Sequence, residues 1–110
     1  MAYKVIITPT AKHQLEMYIA YTLSEFKNLQ AARAIRDDAR ETKKRLSNVA
    51  GSLALCEDNT LAKHGYRRIM FAKHDFFMVY RIENDIAIVD GMYHELQDYE
   101  AVFTSQMHLM

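Results

Sequence analysis

Tyr66–Met92 reads YRRIMFAKHDFFMVYRIENDIAIVDGM, and the fold turns on this stretch. It holds three runs rich in β-branched and aromatic residues: Tyr66–Phe71, Phe76–Ile82 and Ile86–Met92. Lys73–Asp75 and Asn84-Asp85 separate them, lengths that suit tight hairpins, so the pattern predicts three consecutive antiparallel strands. A two-residue turn at Asn84-Asp85 sets Arg81 opposite Ile88 and Val79 opposite Asp90. A similar turn at His74-Asp75 sets Arg68 opposite Arg81 and Met70 opposite Val79. Because opposed residues share a face, one face is expected to carry Arg68, Arg81, Asp90 and His94. The other carries Ile69, Phe71, Met78, Tyr80, Ile82 and Val89, the set suited to burial.

Upstream, Tyr3–Ile7 reads as a short strand stopped by Thr8-Pro9. Thr8 is a helix cap, and Pro9 fits the first helical position, where a missing N–H costs nothing. Ala11, Leu15, Tyr18, Ile19, Thr22 and Phe26 then recur at helical spacing, and Lys27-Asn28 makes a break. Ala32, Ile35, Ala39, Thr42, Leu46 and Val49 form the clearest stripe in the chain, with Gly51 placed to end that helix in a left-handed conformation. So short a break predicts an antiparallel helical hairpin. Ser52–Gly65 lacks a period and reads mainly as loop, and Leu96, Tyr99, Phe103 and Met107 line one side of a short terminal helix. The order is β-α-α-β-β-β-(α): an α+β domain over residues 1–110, with the helical hairpin packed on a small, mainly antiparallel sheet.

The totals narrow the function. Fourteen Lys and Arg balance fourteen Asp and Glu, so the net charge is zero. Proteins that bind nucleic acid unaided usually carry a basic excess, because neutralising phosphates supplies most of their affinity. Neutrality argues against that class while leaving room for a local basic patch. The single Cys56 has no partner for an internal disulfide and fits a reducing compartment. The apolar run near the N-terminus is too short for a signal segment or a membrane span, so a cytoplasmic protein with no membrane partner is expected.

Two readings of the polar face stand side by side. Opposed arginines repel by roughly 0.2–1 kcal/mol, and a bound phosphate or carboxylate would relieve them, giving an anion site with a histidine nearby. Alternatively the face is simply solvated, its arginines paired with Asp90, Glu83 and loop carboxylates. A one-residue change in the first turn substitutes Arg67 for Arg68, so the two are held together. On the second helix, Arg33–Asp37 and Glu41–Arg45 are spaced for ion pairs, and the excess of Lys and Arg there suits an acidic protein partner or nucleic acid. The histidines and Cys56 show no metal-ligand spacing; Asp90 and His94 share a face by even spacing alone. No glycine-rich phosphate loop or nucleophile elbow occurs, and no cofactor is implied.

Taken together, these residues resemble the RelE/ParE superfamily, the toxins of bacterial type II toxin–antitoxin systems. Ile7-Thr8-Pro9-Thr10-Ala11, Tyr18-Ile19-Ala20-Tyr21, Ala31-Ala32 and Leu46 are similar to the helical hairpin of ParE-type toxins. Gly65-Tyr66-Arg67-Arg68, Val79-Tyr80-Arg81-Ile82, Ile88-Val89 and His94-Glu95-Leu96-Gln97-Asp98-Tyr99 resemble the strand half of the superfamily. The resemblance implies a growth-inhibiting toxin neutralised by a cognate antitoxin whose C-terminal segment folds across it. It also implies one of two targets, with the ribosome-dependent nuclease as the leading expectation and gyrase inhibition as the alternative. RelE-like toxins are metal-free ribonucleases that cut messenger RNA on the ribosome, with arginines stabilising phosphate charge and a Tyr, His or carboxylate moving the proton. On that reading Arg67, Arg68, Arg81, His94 and Tyr99 are the catalytic candidates. ParE-like toxins inhibit DNA gyrase and need no such set. Phe77 and Leu96 stand where RelE-like toxins place arginines, which weakens the nuclease expectation; a scaffold that has lost activity is the remaining alternative.

Overall fold

The computed structural model describes residues 2–107; Met1 and the last three residues, His108 among them, lie outside the described part. Strand β1 (Lys4–Ile7) is followed by helices α1 (Pro9–Phe26) and α2 (Leu29–Val49). A 3-10 turn at Ala50–Ser52 and a short helix α3 (Asn59–Lys63) lead to strands β2 (Arg67–Met70), β3 (Phe76–Glu83) and β4 (Ile86–His94), then helix α4 (Tyr99–Gln106). The sheet order is β1-β4-β3-β2. β2, β3 and β4 form the expected antiparallel meander, and β1 joins it parallel to β4, making the sheet mixed.

The helix starts follow their caps. Thr8 accepts the Ala11 N–H at 3.3 Å and Asn28 accepts the Ala31 N–H at 3.0 Å, each satisfying a donor that the first turn leaves unpaired. Lys27, in left-handed conformation at φ 48°, reverses the chain between the helices. The α2 stripe is buried from Ala32 to Leu46 as its period requires. It packs on Ile69, Phe71, Met78, Tyr80 and Val89, the sheet face expected to be buried. On α1 the predicted stripe is buried at Ala11 and Ile19, but Phe26 at its end is 68% exposed.

Several expectations fail. Gly51 is not in left-handed conformation, because α2 tightens into the 3-10 turn instead; the left-handed glycine is Gly65 (φ 81°), which links α3 to β2. The segment from Ser52 to Gly65 is more ordered than a loop, with α3 and a β-bridge between Leu55 and Arg67. Leu96 does not belong to the terminal helix and is 90% exposed. Most consequentially, the strand register differs. Arg68 lies opposite Val79, and Met70 opposite Phe77, so the two arginines are not opposed. The connection spans Ala72–Asp75, closed by Phe71 N–H to the Phe76 carbonyl at 2.9 Å. Asp38 of α2 holds it open by accepting from the backbone N–H groups of Ala72 (3.2 Å) and Lys73 (2.9 Å).

At the other hairpin Arg81 does face Ile88, as read from the sequence. Beyond it a β-bulge intervenes: Tyr80 pairs with Val89 but Val79 pairs with Gly91, leaving Asp90 unpaired. A bulge of one residue inverts every later side chain on its strand. Asp90 therefore stays on the face away from α1 and α2, whereas His94 moves to the helical side and packs edge-on against Phe76, centroids 5.0 Å apart. Gly91 is required here, since a Cβ would lie 2.6 Å from Cε2 of Tyr93 and 3.2 Å from Cδ1 of Phe103. The face away from the hairpin is itself covered: Phe77, Val79 and Tyr93 form a second core with Tyr66, Tyr99 and Phe103 under α4 and α3.

Candidate functional site

The five catalytic candidates fall on opposite sides of this sheet. Arg67 faces the α1–α2 side, where its guanidinium donates to the Leu53 carbonyl. Next to it the Tyr80 hydroxyl donates to the Ala50 carbonyl at 2.7 Å; burial pushes that phenol up to about 12, well away from neutral proton transfer. His94 sits on the same side at the far end of β4. Its Nδ1 accepts the Leu96 N–H at 3.1 Å, so the neutral ring carries its proton on Nε2.

Arg68, Arg81 and Tyr99 occupy the other side. Arg81 is committed: Nε donates to Asp90 Oδ2 at 2.9 Å and a terminal nitrogen to Glu83 Oε1 at 2.6 Å. The Tyr66 hydroxyl also donates to Asp90 Oδ2, at 3.0 Å. Burial of Tyr66, reinforced by the Asp90 charge, pushes its phenol up to about 12. Burial disfavours the Arg81 cation, but the two carboxylates outweigh it and the net shift is upward. The sequence alternative in which Arg81 pairs with Asp90 and Glu83 is thus the arrangement observed.

Arg68 is brought to Tyr99. Its guanidinium carbon lies 4.8 Å from the Phe77 ring centroid and 5.4 Å from that of Tyr99, a cation–π geometry. No ion pair to Arg68 occurs among the described residues. Tyr99 is 8% exposed, and burial beside the Cys56 thiol raises its phenol further still. A phenol so placed is a poor proton donor or acceptor near neutral pH. Arg68 alone among the candidates offers an exposed, uncommitted cation.

Other polar features were not legible, or only partly so. Asp38 is 3% exposed and accepts from His74 Nδ1 at 2.7 Å as well as from the two backbone donors. Its signal was present: it lies three residues after Ile35 and four before Thr42, on the apolar stripe itself. Gln97 accepts from the His94 N–H at 3.0 Å and from the Tyr18 hydroxyl, fastening the turn that displays Leu96; nothing local announces that role. On α2 the expected Arg33–Asp37 and Glu41–Arg45 pairs do not form. Arg45 donates to the Met70 carbonyl, and the exposed pairs are Arg40–Asp37 and Lys44–Glu41, each three residues apart. Among the described residues no cluster of His, Cys, Asp and Glu is arranged to hold a metal ion. No helix there is long and apolar enough to cross a membrane.

Residues 5–99 match the family model described as the ParE toxin of the type II toxin–antitoxin system parDE. The chain belongs to the ParE toxin family. A comparison with curated protein sequences finds no significant match. Among solved structures, this ParE-family chain is similar to one described as a chromosomal ParDE TA system from P. aeruginosa. The two are 17% identical with a TM-score of 0.69, over 84% of this chain and 96% of the other. At that identity the likeness establishes the fold, a helical hairpin on a four-stranded mixed sheet. Within it, Phe77 is a fully buried core residue and Leu96 an exposed apolar one. The two departures from the nuclease pattern therefore occupy quite different settings.

Proposed function

We propose that this ParE-family toxin arrests growth by binding DNA gyrase, and that a cognate antitoxin, with which it pairs in the cytoplasm, holds it inactive. One observation carries the choice of target: the residues expected to cut RNA do not converge. Arg67 and His94 lie on one side of the sheet, and Arg68, Arg81 and Tyr99 on the other, with Arg81 neutralised by two carboxylates. Phosphodiester cleavage requires cations and a proton-transfer group aimed at one reacting centre. An inhibitor that acts by binding has no such requirement, and inhibition of gyrase is what resemblance to ParE implies.

A supercoiling assay with purified gyrase, relaxed plasmid and the toxin tests the proposal. Inhibited supercoiling or trapped cleaved DNA, with translation in a cell-free extract initially unaffected, is the expected result. Normal supercoiling together with messenger cleavage in the translating extract would overturn it in favour of the ribosome-directed nuclease.

A further inference from the structure

Helix α1 is buried only at Ala11 and Ile19, while Met17, Tyr21 and Phe26 on its outer side stay 57%, 59% and 68% exposed. These three border a hollow of about 630 Å³ between α1, the start of β3 and the turn after β4. Tyr18 and the buried Phe76, ring centroids 4.8 Å apart, line it too, and Leu96, 90% exposed, stands at its rim. No Lys, Arg, Asp or Glu contributes to the lining.

Leu96 is held in place rather than left loose. Its own N–H donates to His94 Nδ1 at 3.1 Å, and the Gln97 N–H donates to the His94 carbonyl at 3.0 Å. The Gln97 side chain accepts from the His94 N–H at 3.0 Å and from the Tyr18 hydroxyl. Phe26 is set by edge-on contact with Tyr21, centroids 6.2 Å apart. An apolar side chain projecting from a fastened turn loses little freedom when it docks, which favours association.

Met17, Tyr21, Phe26 and Leu96 expose roughly 500 Å² per copy at these fractions, so two copies together reach the roughly 1,000 Å² that a specific interface needs. Aromatic side chains and Met without charge are the composition of an interface core, above all between identical subunits. The patch also carries both a projecting side chain and a hollow. A two-fold axis brings one patch against the same patch of another copy, so each projection meets the other's hollow and the contact closes. Two uncharged patches meet without like-charge repulsion, whereas a nucleic acid or a charged peptide would find no counter-charge here. We propose that the chain pairs with a second copy of itself through this patch, Leu96 of each copy seated among Tyr21, Phe26 and Phe76 of the other. The pairing does not depend on which target the toxin binds.

The test is sedimentation velocity on the intact chain from about 1 μM to about 1 mM, the range of moderate to weak affinities. The 12.8 kDa monomer is expected to give way to a species of twice that mass as concentration rises. Amide chemical shifts over the same dilution should move at Met17, Tyr21, Phe26 and Leu96. Leu96→Glu puts a charge into each hollow, twice per dimer, and should raise the dissociation constant about tenfold or more. Phe26→Ser, also at an exposed position, should do the same, whereas Leu96→Met keeps an apolar projection and should keep the dimer. Circular dichroism checks that the variants fold; should one of them unfold, the others and the shift map decide. A chain that stays monomeric throughout overturns the proposal and leaves the patch to a different protein. A dimer that Leu96→Glu and Phe26→Ser both leave intact, or whose shifts fall on another surface, overturns it as well.

Discussion

Asp38 Oδ2 lies 2.7 Å from Nδ1 of His74, joining the middle of the second helix to the connection between β2 and β3. The same carboxylate accepts the Ala72 and Lys73 N–H groups, so one side chain fastens the backbone of that connection to α2. Burial alone would raise the Asp38 pKa; the bonds from His74, Lys73 and Ala72 outweigh it and hold the carboxyl below its ordinary 3.8. A lowered folded-state pKa gives stabilisation that is complete above the unfolded value and is lost as pH falls through the folded one.

Asp38→Ala should therefore destabilise the protein by about 1–3 kcal/mol at pH 7, because two backbone N–H groups and His74 lose their acceptor. Urea denaturation measures this directly. In the wild type this contribution fades as pH drops below about 4, and in Asp38→Asn that acid-dependent component should be missing. An acid-unfolding profile identical in wild type and Asp38→Asn would show that the carboxylate is not the group that titrates.

Gly91→Ala should cost about 1–3 kcal/mol, since the new Cβ meets the Tyr93 ring beneath α4. Thermal unfolding is the check, with a drop of roughly 4–8 °C per kcal/mol for a chain of this size. An unchanged midpoint would mean that the Tyr93 ring swings away freely and that the second core is loosely packed.

Removing Arg81 leaves Asp90, 6% exposed, with Tyr66 as its remaining side-chain partner. Arg81→Ala is expected to lose about 1–3 kcal/mol, and the double variant Arg81→Met with Asp90→Asn to recover part of it. Growth arrest by these variants should track the folded fraction measured by circular dichroism. Abolished arrest in a fully folded Arg81→Lys protein would instead assign the guanidinium a direct role at the target.

Tyr99→Phe and His94→Gln should both retain growth arrest, because the proposed activity uses neither group to move a proton. A thousand-fold loss of toxicity in either variant, with the protein folded and messenger cleavage lost in parallel, would restore the nuclease reading.

Much of this was legible without coordinates. The alternation in Met78, Tyr80 and Ile82, continued by Val89, identified the sheet face under the helices, because alternate residues of a strand point to the same face. The Ala32-to-Val49 stripe identified the face of α2 for the matching reason at helical spacing. The Asn84-Asp85 turn and the Arg81–Ile88 pairing also follow locally, with Asn84 at φ 55° in the turn. What failed was the inference that His94 joins Asp90, and that Arg68 faces Arg81. The first was undone by the bulge and the second by Asp38 reaching across from another element.

By itself, then, the sequence determined the element order, the principal buried faces and the resemblance to RelE/ParE toxins, all of which depend on periodicities and short motifs within a segment. The tertiary structure alone decided the register of β2 against β3 and the bulge at Asp90, and hence which polar residues meet. Register along a strand is a sum of small local preferences, and a single long-range contact or an extra unpaired residue outweighs them.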